Sequence, residues 1–343
     1  MNMMKILVPC YNPSSLIYSI SFALARSPNC IIYIDCESDQ VNDSRAYSLL
    51  EYVDRLIEML PCVLPFSLSV IHDISHIYVT DPGHSSVKKS LAKYYGMNLA
   101  GCGDVVVIGD IMGFIPPSYN IRAYLSSLLN TLRLRIRSSS YCVCTIEKLS
   151  PVHRMQVFRN FENIYAGFPC ISLRRLLPRI LPGTIVHLDV MPAYEKANQI
   201  LSRIIHIIDR FDLKDRSALI LLLPHPKNRS TLRDLKFKFP NSYPSILFLD
   251  ESYTAEQVLS TLVRNVHEKI HVTFSSTAIL PLMVIARNVK FFYVYSWWLP
   301  GLTSLAPRAV LSCLSHFERN VVKNAFTLHI YWQFCTYLKL ASR

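Results

Sequence analysis

Along the first hundred residues the apolar positions switch repeatedly between two spacings, and the switching predicts an α/β chain. Short apolar runs closed by polar or turn residues predict strands at 4–8, 30–34, within 70–79 and at 104–108. Between them, 14–25, 45–60 and 85–95 place apolar residues three and four apart, as a helix with one buried face does. Ser14 or Ser15 is the expected N-cap of the first of these helices. Strands alternating with helices predict a parallel sheet covered on both faces.

From 114 to 184 the pattern is broken by Pro116, Pro117, Pro151, Pro169, Pro178 and Pro182, and this stretch is expected to wrap and connect. The rhythm then resumes. Helices are expected at 193–208, 255–264 and 278–286, and strands at 219–223, 246–249, 271–274 and 289–295. Residues 311–340 read as largely helical, with Phe317, Val321, Val322, Phe326 and Ile330 forming an apolar stripe. The expectation is two Rossmann-like, doubly wound α/β domains, 1–184 and 185–310. A helical segment, 311–343, would follow and pack back on the first domain.

Composition agrees with a folded chain: 51% of the 343 residues are hydrophobic and 17% charged. Mean hydropathy is +0.24, high enough to raise the question of a membrane span. Every long apolar run meets a charge, a proline or a polar residue before about 18 residues, too short to cross a bilayer. The apolar run after Lys5 is also too short for a signal-peptide core. A cytoplasmic protein is expected. The ten cysteines form no CxxC pair, which favours free, mostly buried thiols over a metal site. Cys142 and Cys144 should share one face of a strand.

The formal charge of +12 suits an anionic substrate or an anionic membrane face. Basic residues gather at Arg133, Arg135 and Arg137, at Arg174, Arg175 and Arg179, and from Lys227 to Lys238. No zinc-finger spacing, RNA-binding aromatic signature or helix-turn-helix pattern accompanies them, so no nucleic-acid partner is expected. Peripheral contact with the inner face of a membrane is.

Candidate chemistry sits where three apolar strands end. The run at 104–108 is followed by Gly109-Asp110-Ile-Met-Gly113, a tight loop carrying a carboxylate. Asp110 there is either a turn cap or a general base. The run at 217–223 leads into Pro224-His225-Pro226. Pro226 biases His225 to an extended backbone that aims its imidazole away from the strand end. Lys227 and Arg229 beside it favour an anionic ligand over a plain turn. The run at 270–274 ends in Ser275-Ser276-Thr277, just before an apolar helical pattern. Such residues either cap the helix or hold an anion on its free N–H groups. GxGxxG, GxSxG, a Walker loop and a DxD pair are all absent from the chain. Asp81-Pro-Gly-His84 reads as a turn, and Trp297-Trp298 as packing.

In this order, Gly109-Asp110-Ile-Met-Gly113, His225-Pro226 and Ser275-Ser276-Thr277-Ala278 resemble the motifs of bacterial-type sialyltransferases and polysialyltransferase-like glycosyltransferases. The segment from Leu249 to Leu259 is similar to the family as well, where it contributes nucleotide contacts. The resemblance spans about residues 105–285. It implies a GT-B architecture of two Rossmann-like domains and a CMP-activated sugar donor. It implies neither a cofactor nor a catalytic metal, and a glycan or glycolipid acceptor. It assigns Asp110 as base toward the acceptor hydroxyl and His225 as the contact that helps the phosphate leave. Ser275 and Ser276 become phosphate ligands, and Gly109, Gly113, Pro226 and Thr277 complete the donor-binding set. The family's acidic-acidic-Gly becomes Gly-Asp-Ile-Met-Gly here, with two residues between Asp110 and Gly113. Two alternatives share the architecture: a Kdo or glycerophosphate transferase using a CMP or CDP donor, and a catalytically degenerate carbohydrate-binding or assembly protein.

Overall fold

The computed structural model describes residues 3–36, 44–80, 85–96, 104–108, 141–144, 149–168, 170–180, 184–190, 204, 218–223, 246–249, 253–266, 270–274 and 289–293. The chain forms two compact units, Met1–Phe168 and Pro169–Arg343. The first contains strands β1 (Met4–Pro9), β2 (Cys30–Asp35), β3 (Val63–Pro65), β4 (His76–Val79), β5 (Asp104–Val107) and β6 (Tyr141–Val143). Its helices are α1 (Pro13–Arg26), α2 (Ser44–Met59), α3 (Ser85–Gly96) and α4 (Pro151–Ala166). The second unit contains α5 (Ile171–Leu176), β7 (Ile185–Val190), β8 (Ala218–Leu223), β9 (Ile246–Phe248), α6 (Ala255–Asn265), β10 (Ile270–Phe274) and β11 (Val289–Tyr293).

Each unit is built on one sheet. The first sheet has the order β3-β2-β1-β4-β5-β6 and the second β11-β10-β7-β8-β9. Every strand pair in both is parallel. Counted within its own unit, each sheet places its first strand beside its fourth, the Rossmann order. The architecture is therefore α/β with two parallel, Rossmann-like sheets, as the strand–helix rhythm predicts. Of the expected helix at 193–208 only Ile204 is described, helical and buried, and the expected helix at 278–286 and the segment 311–343 lie outside the described residues.

Alternation along the first sheet shows how its two faces are covered. Leu7, Tyr33, Ile77, Val79 and Val105 share a core with Val87, Leu91 and Tyr94 of α3. The opposite positions include Tyr78 of β4, whose ring meets Phe22 of α1 edge-on at 5.9 Å. Strands buried on both faces should be apolar almost throughout, as Ile6, Leu7 and Val8 or Val105, Val106 and Val107 are.

Three local expectations are corrected. The cap of α1 is Asn12, whose Oδ1 accepts the Ser15 N–H at 2.8 Å; Ser14 and Ser15 lie inside the first turn. Pro13 occupies the first helical position, where its fixed φ suits the helix and its missing N–H has no intrahelical partner to lose. The stretch before 184 is not merely connecting. Pro151 starts the 16-residue helix α4 instead of breaking one, and the Ser150 side chain caps it by accepting the His153 N–H. Two shorter elements, β6 and α5, lie in the same stretch. Cys142 is exposed rather than buried, whereas Cys10, Cys30 and Cys170 are buried.

Helix α4 packs along α1 on the first sheet. Asn160 Nδ2 donates to the Ser21 carbonyl at 3.2 Å, and the Tyr165 hydroxyl donates to Ser14 Oγ at 3.1 Å. Phe158, Phe161 and Tyr165 are buried in its apolar face. Phe161→Ala should cost about 3–5 kcal/mol of unfolding free energy, since it leaves a cavity in a fully buried site. Denaturant titration should show a lower midpoint at unchanged slope. A cost under about 1 kcal/mol would refute the packing of α4 into this core.

Candidate functional site

All strands of each sheet point the same way, so their C-terminal ends form a single edge. Ligands of open α/β sheets bind outside that edge, at the point where the strand order reverses. In the first sheet the order reverses between β1 and β4; in the second, between β7 and β10.

At the first edge the chain carries polar groups directly from strand ends. Cys10 N donates to the Asp35 carbonyl at 3.1 Å, extending the β1–β2 ladder one step beyond the strands. Asp35 closes β2 and is buried. The Tyr94 hydroxyl from α3 donates to its Oδ2. Burial first, then the Asp35 charge, pushes the Tyr94 phenol far up, so it remains a neutral donor. Cys10 Sγ lies 2.7 Å from Cys36 Sγ. That contact, then burial, pushes the Cys10 thiol well up. On the other side of β1, Thr80 follows β4 and is buried, and Ile108 N donates to the Val79 carbonyl at 3.0 Å. The sequence pattern did not single out Asp35. Its signal was an acid closing the otherwise apolar strand Cys30–Asp35.

Gly109, Asp110 and Gly113 follow Ile108 in sequence but lie outside the described residues. So do His225 and Pro226 after β8, and Ser275, Ser276 and Thr277 after β10. The strands that lead into them are described. Asp189 of β7 is level with Leu222 of β8 on one side and with Thr273 of β10 on the other. Strands β8 and β10 therefore end at one edge, either side of β7. Parallel neighbours lie about 4.8 Å apart, so these two ends are about 10 Å apart.

Lower in the same sheet the register pairs His187 with His271. His271 Nδ1 lies 3.3 Å from His187 Nε2, and the rings meet edge to face at 4.9 Å. Burial first, then the proximity of His271, pushes His187 down to about 3. The two histidines are 84 residues apart, so no local spacing could have linked them. Among the described residues no group of three or more His, Cys, Asp or Glu side chains could hold a metal ion. Nor is any described helix long and apolar enough to cross a membrane.

The segment that connects β9 to β10 is described from 253 to 266. Thr254 Oγ1 accepts the Gln257 N–H at 3.2 Å and so caps α6. Glu256 follows in the first turn and is buried, an acid at the positive end of the helix. Val258, Leu259 and Leu262 form the buried apolar stripe of α6.

No protein-family model and no curated protein sequence matches the chain. Solved structures align with it over most of its length. UDP-GlcNAc 2-epimerase from Methanocaldococcus jannaschii is 12% identical, with 93% of this chain and 94% of that one covered, at a TM-score of 0.47. ADP-heptose LPS heptosyltransferase II from E. coli is 10% identical, with 92% and 98% covered, at 0.42. The GT-B domain of a sialyltransferase from Photobacterium damselae is 12% identical, with 94% and 99% covered, at 0.38. At such identities and scores the likeness carries no inference about activity.

The buried histidine makes stability depend on pH. An unfolded histidine takes up a proton near 6.5, whereas folded His187 holds out to about 3. Between those values the unfolded chain binds the extra proton, so stability is full above that window and falls as the pH drops through it. Unfolding measured from pH 7 to pH 4 should show this loss. In His187→Gln the acid-side slope should shrink by about one proton. An unchanged slope would refute a neutral buried His187.

Proposed function

We propose that the chain is a GT-B glycosyltransferase. It transfers sialic acid, or a related 2-keto sugar acid, from a CMP-activated donor to a hydroxyl of a glycan or glycolipid acceptor. One observation carries the reading. Strands β8 and β10 end at the same edge, either side of β7, and each is followed in sequence by residues suited to a phosphate. Those residues are His225-Pro226 after the first and Ser275-Ser276-Thr277 after the second. The +12 charge supports an anionic donor and peripheral contact with an anionic membrane face. Division into an acceptor-side half through 184, a donor half at 185–310 and a helical segment at 311–343 belongs to the same proposal.

The chemistry divides among these residues. Asp110 takes the proton of the acceptor hydroxyl as its oxygen attacks the anomeric carbon. The bond from that carbon to the phosphate oxygen breaks, and CMP leaves. His225 donates a hydrogen bond or proton to the departing phosphate, while Ser275, Ser276 and Thr277 hold its oxygens. Gly109 and Gly113 let the backbone turn closely around Asp110. The leaving phosphate is handled by protein groups alone in this scheme.

CMP release in the presence of glycan acceptors tests the reading, with CMP-sialic acid, CMP-Kdo and CDP-glycerol as competing donors. CMP-sialic acid should be the productive one; turnover of another donor alone would replace the sugar assignment. His225→Ala should lower turnover by about 10²–10⁴ with folding near normal. Unchanged turnover would remove His225 from the scheme. Asp110→Asn should retain CMP binding and lose transfer, and normal transfer by that variant would refute the base role. CMP bound without turnover of any donor would favour a carbohydrate-binding or assembly protein.

A further inference from the structure

The first sheet carries a pair of thiols that the proposed transfer does not use. Cys10 follows β1 and Cys36 follows β2, and the register Pro9↔Asp35 makes them the next paired positions. The Cys10 N–H holds the Asp35 carbonyl at 3.1 Å, so the two backbones stay in register at this step. Paired residues of adjacent parallel strands have Cα atoms about 4.8 Å apart, inside the range that a disulfide spans. The side chains already face one another, with the sulfurs 2.7 Å apart. Asn12 caps α1 two residues later, which fixes the chain on the far side of Cys10.

The two thiols differ in access. Cys10 is 5% exposed, whereas Cys36 is only partly buried. An incoming reagent therefore meets Cys36 first and finds Cys10 waiting beneath it. The contact with the Cys36 sulfur, then burial, holds the Cys10 thiol protonated, and the first of these is lost once Cys36 is in a mixed disulfide.

We propose that Cys10 and Cys36 form a reversible redox site that is oxidised to an intramolecular disulfide by thiol–disulfide exchange with a small-molecule disulfide. In the first step the Cys36 thiolate attacks one sulfur of the oxidised glutathione type of reagent. A mixed disulfide forms and one small thiolate leaves. Cys10 then loses its proton and attacks the Cys36 sulfur, forming the Cys10–Cys36 bond and expelling the second small thiolate. The protein pair gives up two electrons and two protons, and the reagent becomes two thiols. The bond ties the end of β1, at the entry to α1, to the end of β2. A low-molecular-weight thiol reverses it.

The test uses the full chain in glutathione redox buffers, followed by acid quenching, alkylation and peptide mapping, because ten cysteines are present. Oxidising buffer should yield peptides linked through Cys10 and Cys36, and dithiothreitol should remove them. At a fixed ratio of oxidised to reduced glutathione, diluting the total about tenfold should raise the ratio of linked to free pair about tenfold. A mixed disulfide would not respond, because only the intramolecular bond releases two thiols per oxidant. Cys10→Ala should stop the reaction with glutathione still attached to Cys36, and this variant spares the partly exposed sulfur that is read out. The proposal is overturned if both thiols remain alkylatable in the most oxidising buffer. It is equally overturned if Cys36 in the wild type stays glutathionylated, or links to a different cysteine.

Discussion

Parallel strand pairing is the constraint on which the rest of this structure depends. A parallel neighbour cannot be reached by a tight turn, so each strand must be followed by a crossover before the next can pair. Right-handed crossovers with short connections then leave few strand orders open. Both sheets adopt the one that sets the first strand beside the fourth. The direct consequence is chemical. Residues that follow β8 and β10 start from one edge although about fifty residues separate them, and those that follow β1 and β2 start from one edge too.

Burial on both faces decides which groups can appear inside the sheets. Strands such as Ala218–Leu223 are apolar throughout, and three polar contacts at or inside the sheets join separate parts of the chain. Asp35 meets the Tyr94 hydroxyl, and His187 meets His271. Cys10 meets Cys36. Each pair joins separate elements, so each restricts how those elements sit against one another. The Asp35–Tyr94 contact holds α3 to the C-terminal end of β2, directly beside the thiol pair.

Most strand positions were legible because a short apolar run bounded by turn residues leaves little alternative, but β3 and the central strand β7 were not among those expected. The runs at 104–108, 219–223 and 270–274 became β5, β8 and β10 with boundaries shifted by a residue at most. The helix Pro151–Ala166 differs from the sequence expectation for one physical reason. Proline breaks a helix interior, but at the first turn it costs no hydrogen bond, and Ser150 caps that turn. The same reasoning explains Asn12, which caps α1 ahead of the two serines because Pro13 sets the first helical residue. For the candidate site, the motif residues Asp110, His225, Ser275 and Ser276 were read from sequence, and what the fold contributes is the placement of the strands before them.

The sequence by itself determined the class of the fold, the alternation of strand and helix, and the polar residues that follow the runs at 104–108, 217–223 and 270–274. Those follow from local periodicity and turn chemistry, which act over a few residues. Only the tertiary structure decided which strands are neighbours, and therefore which strand ends share an edge. It alone brought Cys10 to Cys36, Asp35 to Tyr94 and His187 to His271. Those contacts span 26, 59 and 84 residues. They arise from sheet register and helix packing, which no spacing along the chain encodes.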